Sequence, residues 1–276
     1  MPLKFIGLKI MNTIIKTLGF ASLLGLSAGA GATTVSGVVW DPGAANDFTI
    51  QFNFTQWYTS SADAISNTVN ASPNFAAAQS VPAGLVMGDS TLTGVGEVYS
   101  INGTSAATFC PSCELTLSFG GILLTGVDAV TNVPTFDLTN SFINIYVDNA
   151  LSNDFPWPSD AASQADVNAA VDGDLWLSLT MGTLDFTGVV ESGFVQSLQN
   201  VTGGLAASYF QGGTQPLGFD AQYSSSAFFT TTSPLYSQGG NGQFKSKTIV
   251  PEPNIMALLG FGLFGFCATL WRKQTA

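Results

Sequence analysis

Histidine is absent from this 276-residue chain, and basic residues are scarce, with seven Lys and Arg against 18 Asp and Glu. Catalysis by a Ser-His-Asp or Cys-His arrangement needs an imidazole base, and catalytic zinc sites usually use histidine, so neither kind of site is expected. The net charge of −11 also argues against nucleic-acid binding, which needs a basic surface. Only 9% of the residues are charged, where a typical globular protein has about 25%.

The few basic residues lie mainly at the two ends of the chain. Between residues 33 and 250 there are 17 acidic residues and two lysines, Lys245 and Lys247, which gives this region a net charge of −15. From residue 33 to residue 244 there is no lysine or arginine with which an acidic side chain could pair. Metal cations and water are the remaining counter-ions, and the negative field repels nucleic acids and anionic membrane surfaces.

Residues 1–32 have the layout of a secretory signal peptide. A basic stretch ending at Lys16 precedes an apolar run from Leu18 to Leu26, and small residues follow it up to Ala32. This order predicts a signal helix that signal peptidase cleaves after Ala32, with cleavage after Ala30 as the alternative. A membrane helix is the competing interpretation, although the apolar run is short for one. We therefore expect the protein to be exported.

The last 27 residues consist of three consecutive parts. Pro251-Glu252-Pro253 comes first, the 18 residues from Asn254 to Trp271 are almost all apolar, and Arg272 and Lys273 follow. A helix of 18 residues is about 27 Å long, which is just enough to cross the hydrocarbon core of a bilayer. The basic pair favours the cytoplasmic side for this end of the chain, so residues 33–249 are expected outside.

This arrangement resembles the PEP-CTERM sorting signal of Gram-negative bacteria. The resemblance covers residues 250–276, and it implies processing by an exosortase, a membrane-embedded enzyme similar to cysteine transpeptidases. It also implies an intermediate anchored in the inner membrane by the C-terminal helix, followed by delivery of residues 33–249 to the cell surface or the extracellular medium. A permanent single-pass anchor is the alternative. The residues that carry the resemblance are Pro251, Glu252, Pro253, Arg272 and Lys273.

Residues 33–249 repeatedly alternate apolar and polar side chains, which is typical of strands buried on one face. Gly-rich turn signals such as Asn102-Gly103 and Gly120-Gly121 lie between the alternating segments. Burial of one face favours antiparallel sheets. The predicted strands begin at Phe48, Glu114, Ile143 and Leu175, and a shorter one covers residues 184–186.

Helical spacing is confined to two short segments of this region. Residues 161–171 are expected to form a short helix, and residues 194–201 are a weaker candidate. We therefore expect a single all-β domain at residues 33–249, built as an antiparallel β-sandwich or a jelly-roll-like fold. The stretch at residues 233–247 is predicted to be either a last hairpin or a flexible tether to the sorting signal.

The segment Cys110-Pro111-Ser112-Cys113 is similar to the redox motif of thioredoxin-like proteins. That motif places its first thiolate at the N-terminus of a helix, whereas here Cys113 leads directly into a predicted strand. Disulfides persist in exported proteins. A small structural disulfide between Cys110 and Cys113 is therefore the expectation.

Acidic residues concentrate between residues 148 and 174, in a stretch where the sequence predicts a connection between two strands. Calcium takes six to eight oxygen ligands, and carboxylates without neighbouring cations suit it. No D-x-[DN]-x-[DN]-G loop is present, so solvated turn residues are the alternative. No other cofactor is expected. The proposed ligands are Asp148, Asp154, Asp160, Asp172 and Asp174.

Function is less well defined by the sequence than export. Two carboxylates could serve a glycosidase without histidine, but one sequence does not place them at the required separation. Trp157, between two prolines, is the candidate for stacking on a sugar ring, whereas Trp57, Tyr58 and Trp176 suit a hydrophobic core as well. We expect a non-enzymatic surface or matrix protein associated with exopolysaccharide or biofilm. A secreted carbohydrate-binding or carbohydrate-active module is the alternative.

Overall fold

The structure is a computed structural model that describes residues 32–42, 48–64, 67–68, 70–149, 154–156, 161–230 and 235–249. The predicted signal helix up to Ala30, the sorting signal with its membrane helix, Trp157 and Asp160 lie outside these residues, and Ala32, the other predicted cleavage position, is the first described residue. Among the residues that the structure describes, no helix has the length and apolar character needed to span a membrane.

The described residues are mainly strands, with two short α-helices, α1 (Ala106–Phe109) and α2 (Gln164–Ala169), and 3₁₀ helices at Phe75–Ala77, Ala207–Tyr209 and Pro216–Gly218. The strands are β1 (Thr33–Val35), β2 (Val38–Trp40), β3 (Phe48–Ser60), β4 (Ser90–Ile101), β5 (Thr104–Ser105), β6 (Glu114–Val127), β7 (Pro134–Asp137), β8 (Phe142–Asp148), β9 (Asp174–Met181), β10 (Asp185–Val189), β11 (Ser192–Gly203), β12 (Ala221–Phe228) and β13 (Tyr236–Ser246).

Eight of these strands close into an antiparallel barrel. Around the ring they follow chain order, β3, β4, β6, β8, β9, β11, β12 and β13, and β13 pairs with β3 to complete it. Strands β5, β7 and β10 pair with β4, β6 and β11 outside the ring, while β1 and β2 form a separate hairpin. The all-β antiparallel prediction is confirmed. The prediction of a sandwich or jelly roll is wrong, because the sheet closes on itself instead of forming two packed sheets.

Aromatic rings fill the barrel, and glycines on a neighbouring strand make room for them. Phe52 and Phe54 of β3 are buried in the main hydrophobic cluster. On β13, a Cβ atom at Gly242 would overlap the ring of Phe52, and one at Gly240 would overlap the ring of Phe54. The barrel is therefore packed with side chains, as small closed barrels are.

One end of the barrel, where β3 begins and β13 ends, is covered by the β1–β2 hairpin; we call it the plugged end. The indole of Trp40 from β2 packs edge-on against Trp176 and Phe48, at centroid distances of 5.6 and 5.9 Å. The Nε1–H of Trp176 donates to the carbonyl of Val35 at 3.2 Å. The opposite end, where β4 begins and β9 ends, is the open end.

Two long connections, from β3 to β4 and from β8 to β9, cover one outer face of the barrel. They are joined to each other, since Asn70 Nδ2 donates to the carbonyl of Gly173 at 2.9 Å and the backbone N–H of Phe75 donates to Gln164 Oε1 at 2.8 Å. A second hydrophobic cluster lies beneath them and includes Trp57 of β3 and Val167 of α2. We call these two connections the outer layer.

Several local expectations can now be compared with the structure. The helix expected at residues 161–171 is present as α2, whereas the helix expected at residues 194–201 is wrong, because that segment is strand β11. Residues 233–247 contain β13, which forms a hairpin with β12 and closes the barrel, so they are not a tether. The turn expected at Gly120-Gly121 is also wrong, since β6 continues through both residues.

Candidate functional site

Three acidic side chains converge at the plugged end of the barrel. Glu114 begins β6, Asp148 ends β8, and the two residues face each other in the antiparallel ladder. Asp154 belongs to the outer-layer connection that follows β8. Carboxylate oxygens of the three residues lie within 4.8 Å of one another. We call this group the acidic cluster.

Exposure to solvent is graded across the acidic cluster. Glu114 is only 5% exposed, Asp148 is half-buried and Asp154 is exposed. The backbone N–H of Phe155 donates to Glu114 Oε2 at 3.4 Å, while Glu114 Oε1 is buried and has no hydrogen-bond partner. A buried carboxylate oxygen without a hydrogen-bond donor or a cation is energetically unfavourable, so a partner for this atom is expected.

A second buried acid, Glu97, lies next to the acidic cluster. It belongs to β4, where its ladder partner is Thr116, two residues after Glu114 on β6. Glu97 is 4% exposed, and its Oε2 atom is buried without a hydrogen-bond partner. Burial raises the pKa of Glu97 to about 8, and the negative charge of Glu114 contributes to the increase.

The environment of Glu114 also disfavours its charged form. Burial raises the pKa of Glu114 to about 7; the backbone N–H of Phe155 opposes this change, and the negative charges of Asp154 and Asp148 add to it. Without a cation, the wall of the barrel therefore holds two carboxyl groups that bind protons near neutral pH. Perturbed acids of this kind are typical of functional sites.

The remaining residues of the predicted calcium site have different positions. Asp172 is exposed, and its pKa is raised by burial and by the negative charges of Asp154 and Asp148, so it lies close enough to interact with them. Asp174 is exposed, faces Val147 in the β8–β9 ladder and is not part of the acidic cluster. The structure thus groups two of the five predicted ligands with Glu114, which was not predicted.

The disulfide between Cys110 and Cys113 is confirmed, with the two Cα atoms 5.0 Å apart. Helix α1 ends just before Cys110, so neither cysteine lies at a helix N-terminus as the redox motif requires. The disulfide closes the turn immediately before Glu114, and Cys113 packs beside Gly37 in the turn of the β1–β2 hairpin. Its position indicates a structural role at the point where β6 enters the acidic cluster.

The structure gives the other aromatic candidates a place in the core. Trp57 and Trp176 are completely buried and Tyr58 is 3% exposed, so none of them can stack on a sugar. An apolar pocket at the open end lies among residues that include Tyr58, Phe119 and Phe186, and its free volume is about 50 Å³. A second pocket at this end, among residues that include Leu85, Leu124 and Val190, has a free volume of about 480 Å³. Small-molecule sites usually have about 300–1,000 Å³, so the first pocket has room for little more than water, whereas the second lies within that range.

Comparison with known proteins gives one match. Residues 250–273 match the family model described as the PEP-CTERM protein-sorting motif, and no other family model matches. No curated protein and no solved structure matches the chain. The chain therefore carries a PEP-CTERM motif, as the sequence predicted, and the motif implies a protein that is exported, passes through the membrane and is processed by exosortase. The match includes Pro251, Glu252, Pro253, Arg272 and Lys273.

Proposed function

We propose that the protein is a non-enzymatic component of the cell surface or extracellular matrix that associates with exopolysaccharide or biofilm. The observation that carries this proposal is the position of the sorting motif directly after a folded barrel. The backbone N–H of Ile249 donates to the carbonyl of Tyr209 at 2.8 Å, and the motif begins at the next residue. The sorted part of the chain is thus the barrel itself.

The properties of the barrel support a structural role. Its interior is filled by aromatic side chains of the main hydrophobic cluster, as in small closed barrels that are packed instead of hollow. The chain has no histidine, which is the commonest group for proton transfer, and residues 33–244 have no basic side chain that could hold a phosphate. An acidic surface remains soluble and hydrated, as a matrix component must.

Mass determination on protein recovered from the producing cells and from the medium tests the sorting route. We expect the product outside the cells to lack residues 1–32 and the segment after the Pro-Glu-Pro sequence. As a control, Glu252→Gln changes the motif and leaves the barrel sequence intact, and it should accumulate in the membrane fraction. A released product that retains Trp271 would contradict processing by exosortase.

Co-sedimentation of the purified product with exopolysaccharide from the same cells tests the proposed location. The product should sediment with the polysaccharide and release no reducing ends from it. Hydrolysis of any member of a polysaccharide panel, or binding that Trp157→Ala removes, would favour the carbohydrate-active or carbohydrate-binding alternative instead.

A further inference from the structure

We infer that Glu114, Asp148 and Asp154 bind a calcium ion at the plugged end of the barrel. This inference goes beyond the proposed function, because it concerns the folded barrel and does not depend on where the protein is delivered. It also changes the ligand set expected from the sequence, since its central residue is Glu114.

The geometry of the acidic cluster fits one calcium ion. Calcium–oxygen bonds are about 2.3–2.6 Å long, so two oxygens bound to the same ion are at most about 5 Å apart. Oxygens of all three carboxylates lie within 4.8 Å of one another, which allows a single ion to contact each of them. The exposed position of Asp154 leaves space for the water ligands that complete a coordination number of six to eight.

The buried oxygen of Glu114 gives independent support. Glu114 Oε1 is enclosed by protein and lacks a hydrogen-bond donor, while Oε2 accepts from Phe155. Within the part of the chain that the structure describes, no lysine or arginine is placed to compensate the charge, since Lys245 and Lys247 are exposed and lie on or after β13, which is not a neighbour of β6 or β8. A bound cation would supply the missing partner.

The chemistry of the donors favours calcium over softer metals. The three ligands are carboxylates, the chain has no histidine, and the two cysteines nearby in sequence form a disulfide. Zinc sites normally contain nitrogen or sulfur ligands, whereas calcium prefers oxygen ligands alone. Extracellular calcium modules bind the ion with dissociation constants of about 10⁻⁴–10⁻³ M, which is the range we expect here.

Binding would join two parts of the barrel wall to the outer layer. Glu114 and Asp148 fix the ion to β6 and β8, while Asp154 belongs to the connection that leads to α2. The ion would therefore hold the beginning of this connection against the plugged end. Its stabilising effect should appear as a higher melting temperature.

The test uses the protein purified from its producing cells, stripped with EDTA and dialysed. Titration with CaCl₂ in a calorimeter should give a heat of binding, and a hundredfold excess over Kd should raise the Tm by about 5–10 °C. MgCl₂ at the same ionic strength should give a much smaller shift, because magnesium requires stricter octahedral geometry and retains its water. No heat and no change in Tm at 10 mM CaCl₂ overturns the inference, and an equal shift with MgCl₂ overturns the assignment to calcium.

Three variants separate ion binding from general stability. Glu114→Gln removes a buried charge, so it should fold at least as well as the unsubstituted protein without calcium, yet lose the Tm shift. Asp154→Asn changes an exposed side chain and should weaken binding at least tenfold. The matched control Asp185→Asn changes an exposed acid of β10, near the open end, and should leave the response to calcium unchanged. If Glu114→Gln and Asp154→Asn both retain the full shift, the inference is wrong.

Discussion

Glu97 provides a stability prediction that is independent of any ligand. In the folded barrel burial raises its pKa to about 8, from the ordinary value of 4.5 that applies in the unfolded chain. Between these two pH values the folded state binds the proton and the unfolded state does not. Stability must therefore fall as pH rises through this interval, and it levels off above pH 8.

The size of the expected stability change follows from the size of the pKa shift. Each pKa unit corresponds to about 1.4 kcal/mol, and water penetration near a protein surface reduces the effect. In EDTA we expect the free energy of unfolding to decrease by roughly 2–4 kcal/mol between pH 5 and pH 8. Glu114, with a pKa raised to about 7, acts in the same direction. Hydrogen bonds donated by Thr131 and Thr139 lower the pKa values of Asp128 and Asp137, so these two residues affect the pH dependence of stability only below about pH 4.

The assay is urea denaturation followed by tryptophan fluorescence at several pH values, in EDTA. Glu97→Gln should reduce the slope of stability against pH and should be more stable than the unsubstituted protein at pH 8, with little difference at pH 5. Asp185→Asn serves as the exposed control and should retain the original slope. A stability that is constant or increasing from pH 5 to pH 8 would show that Glu97 is not held protonated by burial.

Two further predictions concern the packing and the end of the barrel. Gly242→Ala should lower the free energy of unfolding by about 1–3 kcal/mol, because the new methyl group would overlap the Phe52 ring. When it is combined with Phe52→Leu, the loss of stability should be smaller than the sum of the two single losses. Strictly additive losses in urea denaturation would contradict this contact. Insertion of ten Gly and Ser residues after Ile249 should speed exosortase processing by relieving steric hindrance from the barrel. The folded barrel ends at Ile249, and the two residues that lead to Pro251 reach at most about 7 Å. A time course of the product mass measures the rate of processing, and slower processing would contradict the steric argument.

The strands with a clear alternation were predictable because one face of each lies against the core. The segments that begin at Phe48, Glu114, Ile143 and Leu175 correspond to β3, β6, β8 and β9. Strand β4 was not predicted, because its sequence includes Gly94 and Gly96, where neighbouring Phe119 and Phe54 occupy the space of the missing side chains. Local alternation records which face is buried, and it does not record which strand lies beside it.

Strand β11 was predicted as a helix because its burial pattern does not follow its polarity. Its buried positions include Ser197 and Gln199, while Phe194 is exposed, so polar and apolar residues are reversed relative to the usual pattern. The spacing of its apolar residues then suggested a helix. Closure of the barrel was also inaccessible, because the decisive pairing joins β3 to β13, at opposite ends of the domain in sequence. A sandwich and a barrel have the same alternation along each strand.

The acidic cluster was only partly predictable for a related reason. Asp148 and Asp154 are close in sequence and among other acids, which made them candidates. Glu114 is more than thirty residues away, and the alternation with Leu115 indicated only that it faces away from the barrel interior. It becomes buried because the outer layer covers that face, and the sequence does not show where a long connection packs.

The end of the barrel that holds the acidic cluster is also the end from which the chain continues to the sorting motif. Strand β13 ends there, and the β1–β2 hairpin near the predicted signal cleavage site packs against it. A bound calcium ion there would offset the cost of burying the charge of Glu114. The folding of the Glu114→Gln variant should therefore depend less on calcium than that of the unsubstituted protein.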